Sequence, residues 1–246
     1  GGRYEGSFVE GYFDGQGVAY RSDGAVEYYG EFKEGIYHGE GKYYYEGGGR
    51  YEGSFVEGYF DGQGVEYSSD GTIIYEGEFK EDKYHGEGTW TSNAGSGSAK
   101  SKYSGKWKDG KKHGYGTYIG NVAKYEGEYQ NGFQHGYGTW TSYVGHEYVG
   151  EFVLGDRHGT GTMSYKDGSI YIGEWKKNKK DGIGTRNYES GDFYKGEWRN
   201  DKKDGRGTYY VKNWFYYVGD WSSDQKHGDL LWADENLDTL YYGQWK

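Results

Sequence analysis

The segment YEGEFKEDKYHGEGTW, residues 75–90, decides how this chain folds. It begins with a Tyr-x-Gly-x-aromatic motif (Tyr75, Gly77, Phe79) and continues to a Gly-x-Gly pair (Gly86, Gly88). Alternate residues of a β-strand share one face, so the tyrosine, the middle glycine and the aromatic residue are expected on the same side. The glycine pair begins a returning strand. The segment therefore predicts one β-hairpin.

The same motif recurs along the chain at intervals of 22 to 28 residues. A repeat of about 23 residues is too short for a helix pair or a strand-helix-strand unit. The longest interval holds the sequence Gly95-Ser96-Gly97-Ser98, which predicts a flexible insertion. We expect one continuous array over residues 1–246, with a partial repeat at the end. The repeats begin at Tyr4, Tyr28, Tyr51, Tyr75, Tyr103, Tyr125, Tyr148, Tyr171, Tyr194 and Tyr217, and the partial repeat at Tyr241.

An isolated hairpin is marginally stable in water, so each repeat must gain stability by pairing with the next. The sequence predicts an all-β protein: an elongated, single-layer, twisted antiparallel sheet of tandem β-hairpin repeats. In the repeat from Tyr103, residues 108–113 are expected to connect the strands. The two glycines of the returning strand are expected opposite the aromatic residue and the middle glycine, so that rings lie over bare backbone.

Composition excludes several classes of protein. The chain has no cysteine, which excludes disulfides, cysteine-based zinc sites and thiol nucleophiles. The net charge is -10, and residues 1–100 carry 8 Lys/Arg against 19 Asp/Glu, a balance that disfavours nucleic acid. No apolar run approaches the roughly 20 residues of a membrane-spanning helix.

Two repeated polar patterns have plainer interpretations than catalysis. A His or Asp precedes the first glycine of ten repeats, but neighbouring repeats lie about 10 Å apart, too far for two such side chains to share a zinc ion. We expect these residues to bond to nearby backbone. The Gly-x-Gly pairs are not followed by a helix, which a phosphate loop requires. The evenly repeated carboxylates are expected on a solvated face. We predict no catalytic residue, no metal and no cofactor.

The segments from Tyr75 and from Tyr194, YEGEFKEDKYHGEGTW and YKGEWRNDKKDGRGTY, resemble repeats of the MORN (membrane occupation and recognition nexus) family over essentially the whole chain. The resemblance implies a non-catalytic protein-binding scaffold of the cytoplasm and cytoskeleton. It also implies arrays like those of ciliary and axonemal radial-spoke heads, or adaptors that hold a helix of a motor protein. A helical partner segment is expected along an aromatic groove.

The predicted groove consists of the aromatic residues of the central and later repeats. These are Tyr103, Trp107, Tyr125, Tyr129, Trp140, Tyr148, Phe152, Tyr171, Trp175, Tyr194 and Trp198. Exposed end strands also favour a homodimer.

Other functions stay open at this point. A cationic ridge on two successive loops predicts binding to phosphoinositides, other anionic lipids or an acidic partner. The resemblance also permits an accessory region of a larger enzyme, and a choline- or glycan-binding array is the weakest alternative. The ridge consists of Lys176, Lys177, Lys179, Lys180, Arg199, Lys202 and Lys203.

Overall fold

The computed structural model describes residues 2–92, 101–234 and 238–245. These residues form strands and turns, with no helix among them, and the all-β prediction is confirmed. The insertion predicted at residues 95–98 lies outside the described residues. Two compact units are present. The first comprises the described residues of 1–121 with 129–132, and the second those of 122–128 with 133–246.

The strands are seven to ten residues long. Those of the amino-terminal unit are β1 Arg3–Val9, β2 Tyr12–Tyr20, β3 Val26–Lys33, β4 Ile36–Tyr44, β5 Arg50–Val56, β6 Tyr59–Tyr67, β7 Ile73–Lys80, β8 Lys83–Thr91, β9 Lys102–Lys108 and β10 Lys111–Ile119. The remaining strands are β11 Ala123–Gln130, whose end belongs to the first unit, β12 Phe133–Ser142, β13 Glu147–Val153, β14 Asp156–Ser164, β15 Ile170–Lys176, β16 Lys179–Asn187, β17 Phe193–Arg199, β18 Lys202–Val211, β19 Phe215–Ser222, β20 Gln225–Asp234 and β21 Thr239–Trp245.

Each strand pairs antiparallel with the next strand along the chain, from β1 to β10 in the first unit and from β12 to β21 in the second. The glycines fix the register. Gly64 lies opposite Gly53 of its own hairpin, and it also lies opposite Gly77 of the following one. The predicted tandem hairpins are therefore confirmed within each unit.

A two-residue turn closes each hairpin, where the sequence had suggested a six-residue connection. β9 ends at Lys108 and β10 begins at Lys111, so only Asp109 and Gly110 lie between them. Both residues have positive φ angles, 50° and 74°. Two left-handed residues define the type I′ turn, whose backbone twist matches that of the strands.

The first glycine of each Gly-x-Gly pair was expected opposite the aromatic residue of its own hairpin, and the structure places it elsewhere. Trp107 lies opposite Lys112 of its own hairpin, and it faces Gly86 of the preceding repeat instead. The register shifts between Gly105 and Trp107 because Gly114 forms a β-bulge, with φ of 57°. Only the second glycine lies opposite the middle glycine, as predicted.

Room for the tyrosine rings comes from that second glycine. A Cβ atom built on Gly64 would lie 2.3 Å from Cε2 of Tyr51, and one on Gly53 would lie 2.5 Å from the Gly64 Cα. Tyr51 therefore covers a patch of backbone that has no side chain. Its buried hydroxyl donates a hydrogen bond of 3.0 Å to the carbonyl of Ser54, three residues later. Burial of the ring thus leaves no polar atom unsatisfied, which explains a tyrosine here in place of phenylalanine.

The rings form a continuous layer within each unit. Tyr28 meets Phe32 of its own motif edge to face at 5.0 Å, and it meets Phe55 of the next repeat at the same distance. Tyr171 contacts Trp175 and Trp198 in the same way, at 5.2 and 5.4 Å. Each repeat is consequently packed against its neighbour through aromatic edges and faces.

Candidate functional site

The side of the sheet that carries the tyrosines, called the ring face below, is lined in two levels. The lower level holds the tyrosine that begins each repeat, called the repeat tyrosine, and the aromatic residue four positions later. Nearly all of the predicted groove residues belong to this lower level. Tyr103, Trp107, Tyr125, Tyr129, Tyr148, Phe152, Tyr171, Trp175, Tyr194 and Trp198 are all at most 7% exposed. They form the core of the sheet, and a partner would meet the side chains above them. Trp140 is half-buried and reaches the surface.

The upper level is dominated by the residue nine positions after each repeat tyrosine, called the covering residue. In the amino-terminal repeats it is aromatic. Tyr37 lies parallel to Tyr28 with 4.0 Å between ring centroids, and Phe60 lies parallel to Tyr51 at 3.9 Å. The complete set of covering residues is Phe13, Tyr37, Phe60, Tyr84, Lys112, Gln134, Arg157, Lys180, Lys203 and Lys226.

Carboxylates accompany the covering rings of the amino-terminal unit. Glu66 accepts hydrogen bonds from the hydroxyls of Tyr45, at 3.2 Å, and Tyr84, at 2.6 Å. Asp82 accepts the backbone N–H of Phe60 at 2.8 Å. Two cavities of about 400 and 290 Å³ lie here and share Tyr45, Phe60 and Asp82. Burial, together with the nearby Glu66, raises the pKa of Tyr45 and of Tyr84. The amino-terminal ring face is therefore aromatic and acidic.

From Arg157 onward, the carboxy-terminal unit has cations where the first four repeats have rings, and Lys112 at the end of the first unit is a cation as well. Lys180 Nζ lies 4.3 Å from the Trp198 ring centroid and 5.7 Å from that of Tyr171. The covering residues of the flanking repeats, Arg157 and Lys203, lie over rings in the same way, at 4.7 to 5.7 Å and 4.6 to 5.4 Å. Lys180 is only 6% exposed. Burial lowers the pKa of Lys180 to about 8 and also lowers the pKa of Lys203.

Trp140 lines a cavity of about 240 Å³ on the ring face of this second unit. Phe152 and Arg157 also line this cavity. Arg157 is held by Asn178, whose backbone carbonyl accepts a hydrogen bond from Nη2 at 3.0 Å. The cavity thus joins an aromatic wall to a fixed guanidinium group. Such a site suits an apolar side chain next to an anionic one.

The seven residues of the predicted cationic ridge lie on two different surfaces of the protein. Lys176, Lys177, Lys179, Arg199 and Lys202 are exposed at two successive hairpin turns. Lys180 and Lys203 point instead to the ring face, where they contact aromatic rings. The correction follows from the two-residue turn, because the returning strand begins earlier than the sequence had suggested.

The repeated carboxylates, Glu and Asp, have structural roles. Glu151 accepts the backbone N–H and the hydroxyl of Thr160, both at 2.8 Å, and so satisfies the backbone at the bulge. The interpretation of these carboxylates as a merely solvated face is therefore incomplete. Asp181 accepts the backbone N–H of Asn200 in the next repeat's turn at 3.2 Å, so the backbone-bonding prediction holds for this aspartate. It does not hold for His85 and His135, whose buried Nδ1 atoms have no hydrogen-bond partner. The described residues contain no cluster of three or more metal-ligating side chains.

Sequence reasoning missed the covering position, although its signal is present. The residue before each predicted His or Asp is aromatic four times, then cationic in five of the last six repeats. The bulge determines which face the covering side chain points to, and a simple two-residue alternation does not predict a bulge. The turns also carried a signal, since Asp109-Gly110 and Asn131-Gly132 are typical type I′ pairs.

These features define a repeat protein built from antiparallel β-hairpins, with one face reserved for stacked rings and the cations above them. The chain belongs to the MORN repeat family. The family's model matches residues 4–26, 28–50, 51–73, 75–97, 103–121, 125–147, 148–170, 171–193, 194–214 and 217–228. Repeats of this family are generally modules for interaction with proteins or lipids.

A comparison with curated proteins found no relative of this chain. Within the described residues, there is no helix with the length and apolarity needed to cross a membrane.

Proposed function

We propose that this chain is a non-catalytic scaffold that binds a helical segment of a partner protein along its ring face. The cavities above the buried ring layer carry the proposal, because they offer aromatic walls that the fold itself does not fill. The cavity at Trp140 has a half-buried indole and a fixed cation at Arg157. Aromatic and arginine side chains are the usual anchors of protein interfaces. An amphipathic helix presents the matching apolar stripe.

We extend the proposal to a cytoskeletal or ciliary assembly on the family resemblance alone. Anionic lipid is a second candidate, favoured by the five cations exposed at the turns of residues 176–179 and 199–202. Its support is narrower, since Arg199 Nε lies 3.5 Å from a carboxylate oxygen of Asp204 and two of the seven predicted cations point elsewhere.

A selection of displayed amphipathic helices against the intact chain tests the proposal. We expect selected peptides to bind, and we expect Trp140→Ala to weaken binding about tenfold or more, as the loss of an interface anchor does. Trp214→Ala is the matched control, because Trp214 is 67% exposed in a turn. Hydrogen exchange should show protection on the ring face. The proposal fails if no helical peptide binds, or if the two tryptophan variants bind alike.

A further inference from the structure

The ring face of the carboxy-terminal unit carries a row of cations that the fold does not need. The covering position accepts Phe60 and Tyr84 in the first unit, where parallel rings close over the repeat tyrosine at 3.9 and 3.8 Å. An uncharged ring therefore completes the same packing. Arg157, Lys180 and Lys203 replace that ring with a charge that must lose part of its hydration.

The chain's own carboxylates only partly offset these charges from a distance: Asp201 and Asp224 raise the pKa of Lys180 against the larger effect of burial. Among the described residues, no carboxylate lies within ion-pair distance of Arg157, Lys180, Arg186 or Lys203. Asp201 and Asp224 lie nearby, but each bonds to backbone. Asp201 Oδ1 accepts the backbone N–H of Lys180, and Asp224 Oδ1 accepts that of Lys203, each at 2.9 Å. Arg186 lies over Tyr165 at 4.7 Å, and its Nε is buried without a hydrogen-bond partner. These four cations can therefore still form ion pairs with anionic groups of a partner.

The cations repeat at the spacing of the hairpins. Each repeat adds two strands, so successive covering residues are separated by about 10 Å. Seven residues of an α-helix rise about 10.5 Å and return to nearly the same side of the helix. An extended strand advances about 10 Å in three residues, but an odd number of residues reverses the side chain's direction. Of these two conformations, a helix fits the row.

From this spacing and charge we infer that the carboxy-terminal ring face binds an acidic α-helix whose Asp or Glu residues recur at every seventh position. The inference rests on the proposed function and adds the partner's chemistry. Successive carboxylates meet Arg157, Lys180 and Lys203, and an apolar residue near the first carboxylate enters the cavity beside Trp140. Charge repulsion disfavours the same helix on the amino-terminal ring face, where Glu66 and Asp82 line one cavity and Glu27 and Asp82 line the other.

The test uses the intact chain and two synthetic amphipathic helices of identical composition. One carries glutamate at every seventh residue and the other at every fifth. We expect the first peptide to bind at least tenfold more tightly in fluorescence anisotropy, and we expect added salt to weaken it. Lys180→Met and Lys203→Met should each weaken binding about tenfold or more, as the loss of one partner of a desolvated charge pair does. Lys177→Met and Lys202→Met, at exposed turns, are the matched controls.

Charge exchange separates direct contact from a change in folding. Lys203→Glu should abolish binding of the glutamate peptide, and replacing one glutamate of that peptide with lysine should restore it. Equal binding of the two peptide spacings, or indifference to Lys180 and Lys203, would overturn the inference while leaving helix binding intact. If no helical peptide binds, whatever its charge, the proposed function itself fails. Binding of phosphatidylserine vesicles that is lost in Lys180→Met, without peptide binding, would assign the row to lipid and overturn the inference.

Discussion

The ring of Phe60 lies flat against that of Tyr51, with 3.9 Å between their centroids and 10° between their planes. The equivalent place above Tyr171 is taken by Lys180. One position of the repeat therefore varies in chemistry while the tyrosine beneath it stays constant. The tyrosine and its glycines build the sheet, and the residue above them determines what the surface presents.

Two identical stretches of sequence allow the contribution of a preceding repeat to be measured. Residues 2–18 recur as residues 49–65. Phe8 of the first copy is 58% exposed, whereas Phe55 of the second is 1% exposed because the rings of the preceding repeat pack against it. We expect Phe55→Ala to lower the free energy of unfolding by about 3–5 kcal/mol, as a core truncation does. Phe8→Ala should cost less than about 1 kcal/mol. Urea unfolding followed by circular dichroism measures both, and equal losses would show that the repeats do not stabilise one another.

The second glycine of each pair should tolerate no side chain. A Cβ atom at Gly64 would overlap Tyr51, at 2.3 Å from Cε2, and the ring is packed against the buried Phe55 and Phe79. Gly64→Ala is expected to cost at least about 2 kcal/mol through overpacking. Gly47→Ala is the control, because no atom lies within 4 Å of its Cβ position. Thermal unfolding compares the two variants, and a neutral Gly64→Ala would contradict the view that bare backbone makes room for the ring.

The sequence predicts most of this fold for a physical reason. Burial on one face imposes the alternation of Tyr75, Gly77 and Phe79, and the repeat length limits each unit to a hairpin. The bulge at Gly114 is harder to predict, since it depends on a left-handed glycine in a strand. The burial of the groove rings was also missed, because a single-layer sheet suggests an open face. Covering side chains such as Phe60 and Lys180 close much of that face, and their direction depends on the bulge.

Alkaline pH should unfold the chain. Burial raises the pKa of the repeat tyrosines, among them Tyr28, Tyr51 and Tyr171, above the ordinary value of 10.0. In the unfolded chain these phenols ionise near pH 10, while in the folded chain they stay neutral. Their contribution to stability is therefore complete below pH 10 and is lost as the pH rises toward the folded pKa. Tyrosinate absorbance and circular dichroism should change together above pH 10. Ionisation of all tyrosines without loss of strand signal would contradict the burial of their hydroxyls.

Replacement of Lys180 by methionine should stabilise the protein at neutral pH. Burial lowers the pKa of this ammonium group from 10.5 to about 8. The nearby cations Arg186 and Lys203 also lower it, whereas Asp201 and Asp224 raise it. Below pH 8 the lysine is charged in both states, and only the folded state loses hydration. Methionine keeps the length of the side chain without that cost, so Lys180→Met should gain about 1–3 kcal/mol.

The gain should depend on pH in a defined direction. Between pH 8 and 10.5 the folded lysine is largely neutral while the unfolded one is still charged, so the wild-type chain recovers stability relative to the variant as pH rises. Urea unfolding of both proteins at pH 7, 9 and 10.5 measures the difference, and subtraction removes the shared tyrosine ionisation. Lys177→Met, at an exposed turn, should show no such trend. A constant difference across this range would mean that the Lys180 ammonium is well solvated, and it would then have no reason to attract an acidic partner more strongly than any surface lysine.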